Sequence, residues 1–97
     1  MADFPPAHPG DVLGEEFLKP LGMSGAAPAP AIDVPESLAG DLLDGRRGVT
    51  PDTALRLARY FGTSAEFWLG MQTTYDLESA RDAVGAEIEA QVRPRTA

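Results

Sequence analysis

Cysteine is absent from the chain, which excludes disulfides and thiolate metal sites and suits a reducing compartment such as the cytoplasm. Histidine is nearly absent. His8 stands alone, so no metal-ligand set can be assembled around it, and its place before Pro9 reads as a helix cap. No apolar run approaches the roughly 18 residues of a membrane span. The opening MADFPPAHPGD has neither a basic start nor an apolar stretch, so no secretory signal is expected. No strand-like alternation survives along the sequence, and no segment repeats. There is no nucleophile–base pair and no phosphate-binding glycine loop, and Glu15 and Glu16 point about 100° apart on a helix. Nothing here reads as an enzyme or calls for a cofactor.

Basic residues are also scarce: eight Lys plus Arg face fifteen acids, for a net charge of −7. Nucleic-acid binders usually carry a basic footprint. Phosphates, however, feel charge only within about 8 Å at physiological salt, so a local patch can act inside an acidic protein. Arg46-Arg47 is the adjacent basic pair that could supply one.

What the chain has is helical punctuation. Its 97 residues, 43% of them apolar, suffice for one domain with a modest core. Pro9 opens a first helix, with Asp11, Glu15 and Glu16 near its positive end. Val12, Leu13, Phe17 and Leu21 fall on one side, and Pro20 with Gly22 closes it. The prolines at 28, 30 and 35 force any helix in the next stretch to start near Pro28 and stay short. Leu38/Leu42 and Ala39/Leu43 then give helical pairs up to a stop at Gly45. Thr50-Pro51-Asp52 is a strong helix start, and Ala54, Leu57, Ala58 and Phe61 follow as a core stripe ended by Gly62. Thr63-Ser64 caps another helix carrying Phe67, Trp68, Leu69 and Met71. Leu77, Ala80, Val84 and Ile88 make a last amphipathic segment interrupted by Gly85, and Arg93-Pro94-Arg95 should fray. The fold class expected is all-α.

Two stretches sharpen this reading. HPGDVLGEEFLKPLGMS (His8 to Ser24) and DGRRGVTPDTALRLARYFGTSAEFWLGMQTTYDLE (Asp44 to Glu78) resemble the HigA-type antitoxins, VapI-related proteins of the lambda-repressor-like helix-turn-helix class. The telling pieces are the HPG start, Gly45-Arg46-Arg47-Gly48-Val49-Thr50, ALRLARYFGTS, EFWLGMQ and YDLE, together roughly half the chain. The resemblance implies about five helices in residues 9–78, an N-terminal arm at 1–8 and a partly helical tail at 79–97. It further implies a cytoplasmic homodimer, binding to a small RNase toxin, and repression of its own operon. The middle departs from the pattern. Pro28 stands in a core leucine position, Asp33 takes the usual glycine, Leu38 replaces the usual arginine, and Gly40 falls mid-helix among Glu36, Asp41 and Asp44.

The candidate DNA contacts are Ser24, Glu36, Ser37, Gly40, Arg46 and Arg47. Ser37 is a flexible donor, Glu36 could accept from a cytosine amino group, and the arginines are placed for phosphates. On residues alone Arg46 and Arg47 read first as solvated charges complementing a helix C-terminus, and the resemblance turns the reading toward phosphates. The candidate dimer or partner surface is Phe67, Trp68, Met71, Tyr75 and Leu77, large apolar residues whose helical spacing reads first as core. The acidic balance suits a small basic toxin. Sequence-selective DNA binding should be weaker than in relatives. A stand-alone regulator and a protein-interaction module with weakened DNA binding remain open as alternatives.

Overall fold

A computed structural model describes residues 7–23 and 27–96, and every regular element among them is helical. Helix α1 (Pro9–Val12) continues without a break into a π-helical segment, Leu13–Leu18. Then follow α2 (Pro28–Ala31), α3 (Glu36–Leu43), α4 (Pro51–Phe61) and α5 (Ala65–Gln91). No helix is long and apolar enough to cross a membrane among the described residues.

The expected caps form. His8 Nδ1 accepts from the Gly10 N–H at 2.9 Å, so His8 is a helix cap and belongs to the folded body. Thr50 Oγ1 accepts from the Thr53 N–H and Ser64 Oγ from the Phe67 N–H, satisfying the open first turns of α4 and α5. Gly45 and Gly62 end α3 and α4 in the left-handed conformation, with φ of 76° and 72°.

The first helix departs from the expected phase. Leu21 is 60% exposed, whereas Leu18 is buried. The cause is the wider π turn: the Lys19 N–H bonds to Gly14 O, five residues back, at 3.0 Å. That extra residue rotates the following side chains, so Leu18 joins Leu13 and Phe17 on the inner face and Leu21 does not. Pro20 has no N–H to offer Glu16, and the helix stops there.

Helix α2 is one short turn beginning on buried Pro28, as its prolines require. It ends in a Schellman arrangement, the Val34 N–H on Ala29 O at 2.9 Å and the Asp33 N–H on Pro30 O at 3.3 Å. Asp33 occupies the left-handed position of that motif with φ of 58°. The turn is locked by Arg56 of α4, whose Nη1 donates to Ile32 O at 3.1 Å and Asp33 O at 2.9 Å. Its Nε donates to Asp52 at 2.6 Å, a bond that, with the carboxylate's charge, raises the guanidinium pKa. Arg56 is therefore a strut between α4 and the α2–α3 turn.

The core lies where α1, its π extension, α4 and the first turns of α5 meet, built on Leu13, Leu18, Leu42, Leu57 and Trp68. Trp68 has no exposed surface, and its Nε1 donates to Thr63 Oγ1 at 2.7 Å. It is a core residue and offers nothing to a partner. The boundary expected at 78–79 falls inside α5, which runs unbroken through Gly85 to Gln91. Among the described residues no side chain of α5 after Gln72 is buried, and its second half extends away from the packed body, giving extents of 52 × 28 × 23 Å.

A side chain at a left-handed C-terminal position costs roughly 1–2 kcal/mol that glycine does not incur, and Asp partly escapes this through local hydrogen bonding. Asp33→Gly should therefore be more stable than Asp33→Ala by about 1 kcal/mol in denaturant unfolding. Equal midpoints would mean that Arg56, not the φ angle, sets the energetics of this turn.

Candidate nucleic-acid interface

Helix α3 is held by an unusually close approach. A Cβ built on Gly10 would lie 1.9 Å from the Leu42 carbonyl oxygen, so α1 rests backbone against backbone on the end of α3. Any side chain at Gly10 would push the two apart. Ala39 and Leu42 turn into the core, with Leu38 and Leu43 half-buried beside them. The opposite side carries Glu36, Ser37, Gly40, Asp41 and Asp44, which at 100° per residue share one face. Glu36, Ser37 and Asp44 are exposed, and Gly40 and Asp41 partly so.

Arg46 and Arg47 are exposed immediately beyond this face. Their backbone completes the Schellman cap of α3, the Arg46 N–H bonding Asp41 O at 2.8 Å and the Gly45 N–H bonding Leu42 O at 3.2 Å. Lys19, Arg56 and Arg81 all engage carboxylates. Among the described residues neither Arg46 nor Arg47 has an acidic partner within 4.0 Å. Two guanidinium groups are thus left available beside a helix face whose own charge is negative. The structure brings Glu36, Ser37, Gly40, Arg46 and Arg47 to one side of the molecule; Ser24 lies outside the described residues.

The loop carrying the arginines borders a cleft of about 400 Å³ lined by His8, Gly48, Gln72, Tyr75 and Asp76. There the Val49 N–H donates to Gln72 Oε1 at 2.7 Å, and Gln72 Nε2 donates to Asp76 at 2.9 Å. His8 stacks edge-on against Tyr75, ring centroids 4.9 Å apart. Sequence reasoning assigned no role to Gln72 or Asp76. The available signal was a polar residue four positions after Trp68, on the inward side of α5, where a buried amide must find partners.

The candidate partner surface is divided by the structure. Phe67 is 41% and Leu77 49% exposed, Met71 and Tyr75 are half-buried, and Trp68 is withdrawn. Further along the same helix Val84 and Ile88 are exposed, seven and eleven residues beyond Leu77 and so on nearly the same side.

Gly40 sits inside α3, and among the described residues nothing lies within 4 Å of a Cβ placed on it. Glycine in a helix interior costs about 1 kcal/mol relative to alanine. Gly40→Ala should raise the unfolding free energy by about that amount, read from chemical denaturation. A loss of stability would show that the open space is closed in solution by another chain.

No family model matches the chain. It is similar, 51% identical over 78 residues, to virulence-associated protein I of Dichelobacter nodosus, covering 80% of this chain and 72% of that one. Against antitoxin HigA-1 of Vibrio cholerae serotype O1 the identity is 37% over 85 residues, covering 87% and 79%. Among solved structures, the Pseudomonas aeruginosa antitoxin HigA with its higBA promoter superposes with a TM-score of 0.90 at 42% identity, covering 94% and 99% of the two chains. The antitoxin GraA in complex with its operator gives 0.89 at 41% identity, covering 100% and 98%. An all-helical body with a capped α2–α3 pair, arginines at the end of α3, and these likenesses place the chain in the HigA-type family of helix-turn-helix antitoxins.

Proposed function

We propose that the chain is the antitoxin of a toxin–antitoxin pair, that it binds operator DNA of its own operon as a homodimer, and that it neutralises a small basic RNase toxin. The observation that carries the DNA reading is the exposed Arg46-Arg47 step at the end of α3, without acidic partners among the described residues. Two similar structures, HigA with its promoter and GraA with its operator, support it. Arg46 and Arg47 hold phosphates. Ser37 and Glu36 are the side chains of α3 that face the groove, and Gly40 leaves room for close approach of the duplex. With Glu36, Asp41 and Asp44 on the same face, base reading is sparse and sequence selectivity is weaker than in relatives.

Dimerisation is argued from α5. Leu77, Val84 and Ile88 leave apolar surface exposed on a helix along which, among the described residues, no side chain after Gln72 is buried, and isolated helices of a few turns are marginal in water. Each is about half covered already, so completing the cover contributes about 1 kcal/mol per side chain. A second copy of α5 supplies the cover, with Phe67, Met71 and Tyr75 at the near end of the seam. The toxin reading rests on the antitoxin relatives and on a net charge of −7, which favours encounter with a basic partner.

Promoter DNA titrated at several salt concentrations tests the operator reading. Each phosphate neutralised adds about 0.9 to the slope of log affinity against log salt, so replacing Arg46 and Arg47 by alanine in both copies should lower its magnitude by about 3 to 4. An unchanged slope would remove the arginines from the interface. Wild-type protein that never retards promoter DNA, with or without the product of a neighbouring reading frame, would leave an interaction module, the reading favoured by the acids of α3.

Leu77→Glu should preserve helicity and monomer folding while shifting the dimer to monomer in sedimentation velocity and weakening operator binding with it. A dimer that persists would place the seam elsewhere.

A further inference from the structure

We infer that Gln72, oriented by Asp76, is the positioning residue for the Arg46–Arg47 loop, so that α5 sets where the arginines meet DNA; this rests on the operator reading above. The loop is pinned at both ends. At its start, the Arg46 and Arg47 N–H groups both reach Asp41 O, at 2.8 and 3.3 Å. At its end, the Val49 N–H donates to Gln72 Oε1 at 2.7 Å, across 23 residues of sequence, just before Thr50 caps α4. Both Val49 and Gln72 are buried, at 5% and 8% exposure, so water cannot readily replace this bond.

Two further features show that the clamp is built. The Gln72 amide has one orientation available. Its Nε2 donates to the Asp76 carboxylate at 2.9 Å, and a flipped amide would set oxygen against carboxylate and N–H against N–H. Gly48 provides the approach: a Cβ there would lie 3.0 Å from the Gln72 amide carbon and nitrogen, tighter than ordinary contact. The relay Asp76–Gln72–Val49 thus ties the helix proposed as the dimer seam to the segment proposed to hold phosphates. Met71 and Tyr75 flank Gln72 on α5, so a change in how that helix is seated is felt at the loop.

Charge-matched variants of the full chain test this. Gln72→Met keeps the volume and removes the acceptor. The pair Gln72→Glu with Asp76→Asn reverses the polarity of the second bond. The introduced amide then donates to the introduced carboxylate, which still offers the Val49 N–H an acceptor. Both variants carry the wild-type net charge, so a shift in affinity cannot come from overall charge. Gln72→Met should weaken operator binding about tenfold and speed hydrogen exchange at the Val49 amide, and the paired variant should keep both at their wild-type values. In an Arg46→Ala/Arg47→Ala background Gln72→Met should cause no further loss, because the clamp acts only through the arginines.

Wild-type affinity in a folded Gln72→Met protein, or an equal further loss in the arginine-free background, would overturn the proposal. So would failure of the paired variant to keep wild-type binding. Should Gln72→Met not fold, Val49 exchange and affinity in the paired variant still decide. Binding left unchanged by Arg46→Ala/Arg47→Ala itself would overturn the proposal, whereas wild-type protein that never retards promoter DNA would take the operator reading with it. Val49 exchange would then report separately whether Gln72 pins the loop.

Discussion

Trp68 is the side chain over which the rest of the molecule closes. It projects from the first turn of α5, and its ring lies 5.1 Å from Phe17, 6.4 Å from Phe61 and 5.1 Å from Phe67. Phe17 comes from the π-helical segment and Phe61 from the end of α4, so one buried indole fixes three elements at once. Such a group must also satisfy its N–H, and Thr63 does so from the α4–α5 turn. Removing a buried aromatic of this size costs about 3–5 kcal/mol, a large share of what a domain this small can hold in reserve. The rewound first helix follows from the same demand. Without the π turn Leu18 would turn away from the hydrophobic cluster that it shares with Trp68.

The capped ends of the helices were legible because they are local. Thr50-Pro51-Asp52, Gly45, Gly62 and Ser64 each answer to backbone geometry within a few residues, and so does the short proline-opened α2. Periodicity also placed Ala54, Leu57 and Phe61 correctly on the core face of α4. The π turn was not legible. Nothing in Leu13–Leu18 distinguishes it from an ordinary α-helical run, and a single inserted residue exchanges Leu18 for Leu21. Gly85 misled for the converse reason. Its propensity cost of about 1 kcal/mol is real but too small to break a helix supported on both sides.

The candidate site divides along the same line. Arg46 and Arg47 stand out in sequence as an adjacent pair after a helix stop, and the resemblance to antitoxins gave Glu36, Ser37 and Gly40 their place. Gln72 and Arg56 could not be found in that way, because their partners are backbone groups: Val49 N–H in one case, Ile32 and Asp33 carbonyls in the other. Backbone partners carry no residue signature. The two residues share a function nonetheless. Arg56 holds the turn before α3 and Gln72 the loop after it, so the helix proposed to face DNA is braced from α4 at one end and from α5 at the other.

That bracing bears on how an acidic protein can bind DNA. In water a unit charge about 4 Å from a phosphate gains or loses roughly 1 kcal/mol, and the interaction halves by about 8 Å before screening. Glu36, Asp41 and Asp44 therefore offset the gain from Arg46 and Arg47 wherever all five sit equally near the backbone. Binding can be favourable only if the guanidinium groups come closest and the carboxylates stay over the groove, a few ångströms further from the phosphates. Long, flexible arginines on an unanchored loop would not keep that order. In the proposed interface, with Asp41 O gripping the loop's first N–H groups and Gln72 its last, the order is set before DNA arrives, and position does what net charge opposes.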